Sequence, residues 1–444
     1  MRRVLVANRG EIALRIVRAA HDLGLEAVAV YSSADAAMPH VALADAAVEI
    51  GPPPAARSYL NVEALVEAAR STGAEAVHPG YGFLAERADF ARACEDAGLA
   101  FAGPTLDQIV LMGDKARARE AARAAGVPTL PGSDGAAADA DEAAAIAADV
   151  GYPIALKAAG GGGGRGIRIA ADEGELRAAF AVAAREASGA FGDARIYLER
   201  FVSPARHVEV QVLGDGRSCV HLFERECSLQ RRRQKVVEEA PAPGIAAATR
   251  EGLCAAAVAL CEAIGYRSAG TIEFLVDAGT QEFFFIEMNT RIQVEHPVTE
   301  LITGVDLVAE QLRIAAGEPL RLAQSDVEVR GCAIELRLNA EDPGNGFLPS
   351  PGVAQSVRLP SGPWVRVDGW LAPGGEVPPF YDSLLAKIVV WGEDRESALA
   401  RARRAMAEVD VDGIATTAPL LGDLLAADWF AAGDFHTTTL EAWL

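Results

Sequence analysis

The chain has 444 residues, half of them hydrophobic, and a formal net charge of −21. That length allows two to four domains with sizeable cores, and the charge argues against general nucleic-acid binding. No apolar run approaches the ~20 residues of a membrane span. The six cysteines show no CxxC pair and no ligand-like spacing with histidine, which fits a reduced, cytoplasmic setting.

In chain order, the first ~110 residues alternate β and α. RRVLVA predicts a core strand rather than a signal peptide. It is followed by a helix from Glu11 to Leu23, a strand at EAVAVYSS, a helix at VEALVEAARSTG and a strand at AEAVHP. Such alternation predicts a parallel sheet covered on both faces. The turn after the first strand carries Gly10 alone, so the architecture is Rossmann-like without a dinucleotide fingerprint. Met112 to Ala125 predicts one helix, and GVPTLPGSDG a boundary. An Ala-rich helix comes next, and YPIALKA, GGGGG and RGIRIA read as strand, loop and strand. A helix from Glu173 to Ala187 and strands at RIYLERFV and RHVEVQVLGD follow, and CSLQRRRQKVVEEAPAPG reads as irregular. Beyond it lie a helix at EGLCAAAVALCEAIGY, strands at GTIEFLV and QEFFFIEMN, and a helix at DLVAEQLRIAAG. From about Gly331 the chain is strand-rich and closes with two short helices.

Three features carry chemistry. The glycine run 160–164 joins two β-branched segments, where backbone N–H groups can approach phosphate oxygens as only glycine permits. Lys157 would face the same phosphates. If TIEFLV and FFFIEMN form a hairpin centred on residue 280, Glu273 lies opposite Glu287. Opposed carboxylates repel, and a divalent cation held with Asn289 would relieve the conflict, as magnesium does beside nucleotide phosphates. Period two also puts Phe283 and Phe285 on the face of Glu287 and Asn289, which argues against two merely solvated glutamates. After Asn289, Arg291 could grip a small anion and Glu295 could take a proton. Of 41 basic residues only four are lysines, at 115, 157, 235 and 387, which invites the question whether each is needed as a compact ammonium. Together these features describe a magnesium nucleotide under a glycine-rich flap, activating a carboxylate-like substrate.

VANRGEIALRI, HPGYGFLAE, LMGDKARAR, KAAGGGGGRGIR, RHVEVQVLGD, SLQRRRQKVVEEAPAPG, IEMNTRIQVEHPVTE and NAEDP resemble the biotin carboxylases, which are ATP-grasp enzymes, over nearly the whole chain. The resemblance implies an α/β fold in three parts. These are a Rossmann-like N-terminal domain (1–112), an ATP-grasp region (113–318) with a mobile lid (about 131–202), and a mixed α+β C-terminal domain (330–444). It implies that ATP, with Mg2+ or Mn2+, phosphorylates bicarbonate to carboxyphosphate, and that biotin is then carboxylated. By position, Lys115, Lys157, Gly163, Gly164, Glu199, Arg200, Phe201, Val202, His207, Arg233, Glu273 and Glu287 would meet ATP. Glu273, Glu287 and Asn289 would hold the metal. Lys235, Arg291, Gln293 and Val294 would bind bicarbonate, with Glu295 as base; Arg337 would stabilise the biotin enolate, and Tyr81 would lie near biotin.

Lys387 keeps an incidental reading. Arg233 stands where many relatives carry a ring, often histidine, and Phe201 replaces a common tyrosine. No lysine neighbours a methionine, so biotin is expected on a separate biotin carboxyl carrier protein, or else this sequence is part of a longer chain. The resemblance further implies carboxyltransferase subunits as partners, a homodimer, a cytoplasmic location and the first half-reaction of an acyl-CoA carboxylase, as in fatty acid biosynthesis. The rival readings are another ATP-grasp ligase, such as the carboxyphosphate-forming half of carbamoyl-phosphate synthesis, and a silent nucleotide-binding regulatory subunit.

Overall fold

The computed structural model describes every residue except 134, 159–166 and 192. The glycine run, with Gly163 and Gly164, therefore lies outside the described residues. The N-terminal part builds the expected parallel sheet, in the order Ala46–Gly51, Glu26–Ser32, Arg3–Val6, Ala76–His78, Ala100–Phe101. Successive side chains of a strand point to opposite faces. Val4 and Val6 accordingly join a core with Ile12 and Ile16 of helix Gly10–Asp22, while Leu5 joins another with Leu65 and Phe90. Both faces of the sheet are thus covered by helices, as its near-continuous apolar strands require.

A larger antiparallel sheet of eight strands organises the rest. Its order is Phe283–Asn289, Arg267–Asp277, Ala205–Asp215, Cys219–Arg231, Gln234–Ala240, Cys332–Asn339, Leu384–Gly392, Val365–Gly369. The pairing of Gln234–Ala240 with Cys332–Asn339 carries this sheet across residues 318–330 without a break in the ladder. Within the expected lid, Ile154–Ala158 pairs with Ile167–Ala170 and Ile196–Arg200. Helices Ala140–Val150 and Glu173–Phe191 cover that small sheet, and Leu156, Leu176 and Leu198 fill its own core. Among the described residues no helix is long and apolar enough to cross a membrane.

Several expectations are corrected. Met112 to Ala125 is not one helix: Leu106–Gly113 ends, and the Asp114 carboxylate accepts from the N–H groups of Ala116 and Arg117 to start Lys115–Ala124. The supposedly irregular stretch around Lys235 is a hairpin, with Arg231 paired to Gln234 across a two-residue turn. Its central residues, Arg232 and Arg233, take φ of 47° and 69°, the left-handed region such a turn needs. The strand Phe283–Asn289 ends where the sequence implied, but a helix not anticipated, His296–Thr303, begins after Glu295. Pro297 in its first turn and Gly304 at φ 71° just past its end are the ordinary start and stop signals. The C-terminal region closes with Arg395–Ala407 and three shorter helices rather than two.

Candidate active site

Glu273 and Glu287 stand directly opposite each other, as the hairpin register predicts. One step on, the ladder slips: Phe274 pairs with Phe285, leaving Ile286 as an extra residue. A bulge of this kind reverses which face later side chains occupy. Phe283 and Phe285 therefore pack with Ile272, Phe274 and Val276 in the core behind the sheet, not on the carboxylate face as strict alternation implied. Phe284 and Leu275 take the other side, against Val202.

On the carboxylate face, Glu273 is buried among donors. Its Oε1 accepts from Asn289 Nδ2 at 2.8 Å and Gln293 Nε2 at 3.1 Å, with Lys235 Nζ at 3.5 Å; its Oε2 lies 3.2 Å from His207 Nε2. Burial raises its proton affinity, but Lys235 and His207 outweigh that and hold the carboxyl well below its usual range. His207 is shifted the other way: burial opposes its charge, and Glu273 more than compensates. Glu287 is half-exposed, with Lys115 Nζ 3.6 Å from Oε2. Two ionisable oxygens from adjacent strands, one open to solvent, fit a hard divalent cation. Asn289 is less available, because its Oδ1 already accepts from Arg291 at 2.9 Å.

The segment after Asn289 is held from three directions. Glu86, from HPGYGFLAE, accepts from the Thr290 N–H at 3.0 Å and from Arg291 Nε at 2.9 Å. Arg291 also donates to Ile292 O and Asn289, leaving one N–H on each terminal nitrogen for an anion. Gln293 Oε1 accepts from Arg225 at 2.7 Å. Arg225 is fully buried and places its five N–H groups on Glu209, Gln211, Thr299, Thr271 and Gln293. Glu295 is 2 % exposed and lies between two cations: Lys235 donates to Oε1, and Arg337 donates to Oε2 at 2.9 Å. Burial favours a protonated Glu295, yet Lys235, Arg337 and Arg225 together push it well below the ordinary carboxylate range. Arg337 also pairs with Glu238, whose burial pushes its carboxyl up to about 7 against that guanidinium.

Other predicted residues lie around this cluster. Lys157 pairs with Glu199, which also takes Arg119. Arg200 is 3.7 Å from Glu282, and the Phe201 N–H donates to Pro153 O at 2.9 Å. Arg233 sits exposed at the hairpin tip. Tyr81 donates its hydroxyl to Glu11, and Val294 O accepts from Lys387 at 2.9 Å. Lys387, read from sequence as incidental, is wholly buried beneath the site. Sequence reasoning also missed Arg225, Glu209, Glu238 and Glu86. Glu209 and Gln211 alternate with valines in RHVEVQV, which is the same signal that exposed Glu273.

One cleft is lined by Glu86, Met112, Lys115, Glu287 and Asn289, and another opens on Lys235, Arg337, Asn339 and Phe347. The arrangement can hold a metal nucleotide on one side of the Arg291–Glu295 loop and a second substrate on the other.

Comparison with known proteins places the chain in a family. Family models match over residues 1–109 (biotin carboxylase, N-terminal domain), 114–323 (carbamoyl-phosphate synthase L chain, ATP binding domain) and 335–442 (biotin carboxylase C-terminal domain). The biotin carboxylase of Pseudomonas aeruginosa is 54% identical over 443 residues, covering 99% of this chain and 98% of its own. The solved biotin carboxylase subunit of pyruvate carboxylase superposes with a TM-score of 0.89 at 48% identity, covering 99% of this chain and 97% of that one. The biotin carboxylase domain of Hydrogenobacter thermophilus 2-oxoglutarate carboxylase, solved as a dimer with MgADP, ADP and bicarbonate, superposes with a TM-score of 0.90. It is 49% identical, covering 99% of this chain and 97% of that one. On its sequence, its sheet order and the carboxylates and cations gathered around Glu295, the chain belongs to the biotin carboxylase family.

Proposed function

We propose that the protein carboxylates biotin at the expense of ATP and bicarbonate, and that the residues gathered around Glu295 carry the reaction. The observation behind this reading is a buried Glu295 held between Lys235 and Arg337 on the same loop as Arg291 and Gln293. In this scheme Lys115, Lys157, His207 and the segment Glu199–Val202 bind the nucleotide, Gly163 and Gly164 are assigned to it by motif alone, and Arg233 stands at its edge. Glu273 and Glu287 hold Mg2+ or Mn2+, which neutralises charge on the phosphates; Asn289 joins them only if Arg291 releases its oxygen. The metal pair fits an ATP-grasp ligase.

Bicarbonate sits against Lys235, Arg291, Gln293 and Val294. Alone, Glu295 is a weak base because three cations stabilise its charge. Once Lys235 and Arg337 turn toward bound anions, that stabilisation falls and its proton affinity rises, so the substrate itself prepares the base. Glu295 then removes the bicarbonate proton as a bicarbonate oxygen attacks the γ-phosphorus of ATP and the bond to the bridging oxygen breaks, releasing ADP. Carboxyphosphate gives carbon dioxide and phosphate, and the phosphate accepts the ureido proton. Arg337 stabilises the resulting enolate of biotin, oriented by Tyr81, which attacks the carbon dioxide.

The biotin arrives on a biotin carboxyl carrier protein, and carboxyltransferase subunits take the carboxyl group onward. The final acceptor stays open, since relatives of similar identity belong to carboxylases of pyruvate and of 2-oxoglutarate. A homodimer in the cytoplasm is the working form we propose. The test is transfer of label from bicarbonate to free biotin. Acid-labile, ATP-dependent label on biotin supports the reading, and label that never leaves bicarbonate in the presence of ATP and magnesium contradicts it.

A further inference from the structure

Lys387 has no role in the scheme above, yet it is 0 % exposed in the strand Leu384–Gly392. A buried ammonium is costly to desolvate, and an apolar side chain would pack there more cheaply. Its surroundings explain its presence. The ammonium donates to Val294 O at 2.9 Å, stands 3.0 Å from Glu11 Oε2 as an ion pair, and lies 4.0 Å from Asp368 Oδ2. Lys387 and Arg337 are directly paired across adjacent strands. Arg337 reaches Glu295 while Lys387 reaches the residue before it, so two paired cations grip consecutive residues of one loop.

The other end of this contact leads to a different substrate. Glu11, 3 % exposed in the first turn of helix Gly10–Asp22, takes the Tyr81 hydroxyl on its second oxygen. The main chain of Tyr81 is fixed independently, because Asn8 Nδ2 donates to Pro79 O and Tyr81 O, both at 2.8 Å. Gly80 at φ 64° makes that turn possible; a Cβ there would stand 2.9 Å from Asn8 Nδ2. With its backbone pinned, the phenol has Glu11 as its one hydrogen-bond partner among the described residues, and Glu11 is held in turn by Lys387.

We propose that Lys387 and Glu11 are positioning residues that tie the bicarbonate loop at Val294 to the biotin-side Tyr81, so that both substrate sites share one buried ion pair. The proposal rests on the assignment of Val294 and Tyr81 given above. Steady-state kinetics of Lys387→Met, Glu11→Gln, Tyr81→Phe and the Lys387→Met/Tyr81→Phe double variant, with bicarbonate, free biotin and ATP each varied, test it. In Lys387→Met, KM for bicarbonate and for biotin each rise on the order of tenfold while KM for ATP stays within about twofold, as expected from misplacement at those two sites only.

Because Tyr81 acts through the same pair, the double variant raises KM for biotin no further than Lys387→Met alone. Should Lys387→Met not fold, Glu11→Gln carries the same expectation, with both KM values up by about threefold or more. A folded variant with an unchanged KM for bicarbonate, an equal rise in all three KM values, or multiplying effects in the double variant overturns the proposal. A wild-type chain that does not turn over bicarbonate at all overturns instead the function on which it stands.

Discussion

Glu295, the base we propose, is held at both of its carboxylate oxygens. Its two oxygens are committed to Lys235 and Arg337, and each of those cations has a second carboxylate, Glu209 for Lys235 and Glu238 for Arg337. Removing the charge of Glu295 therefore leaves no cation stranded, which keeps the fold's cost small compared with breaking an isolated buried pair. Glu295→Gln is expected to fold, to bind ATP with KM within about twofold of wild type, and to lose on the order of 10² or more in turnover, the usual worth of a positioned base. Turnover near wild type in that variant would remove Glu295 from the role of base.

At the scale of elements, the hairpin Cys219–Arg231 and Gln234–Ala240 delivers Lys235 to the site. Its turn is built from Arg232 and Arg233 at positive φ, where a side chain with a Cβ is strained and glycine is not. Arg233→Gly should therefore raise stability by about 0.5–1 kcal/mol in urea unfolding. Its KM for ATP reads out whether the guanidinium reaches the nucleotide: a rise supports that contact, and an unchanged value assigns Arg233 to the turn alone. The sheet around this hairpin was legible only in part. Apolar periodicity marked the parallel strands and the opposition of Glu273 to Glu287. The basic run RRRQK hid a hairpin, because its arginines read as a solvated loop although Arg231 pairs with Gln234 across Arg232 and Arg233. The bulge at Ile286 was equally invisible, since one extra residue leaves no mark on an apolar run. Helix His296–Thr303 did carry its proline and glycine signals, but the polar alternation running into it masked them.

Across the whole molecule, the site is a junction. Glu86 comes from the N-terminal part, and Glu273, Lys235, Arg225 and Arg337 from four strands of the large sheet. The residues proposed to face substrate could be named from the sequence because they cluster in long, specific motifs. Those that position them, such as Arg225, Glu86 and Lys387, belong to distant segments and become visible only when the fold brings them within hydrogen-bond distance. A chain with net charge −21 thus concentrates Lys235, Arg225, Arg291 and Arg337 around one loop, the place where we propose that anionic substrates are held. Such convergence has a direct kinetic consequence, because ATP cleavage should require both partners of the loop. Phosphate release from MgATP by the wild-type chain, measured with and without bicarbonate and with and without free biotin, tests this. The account predicts fast release only when bicarbonate and biotin are both present; release that proceeds equally without biotin, or without bicarbonate, would contradict it.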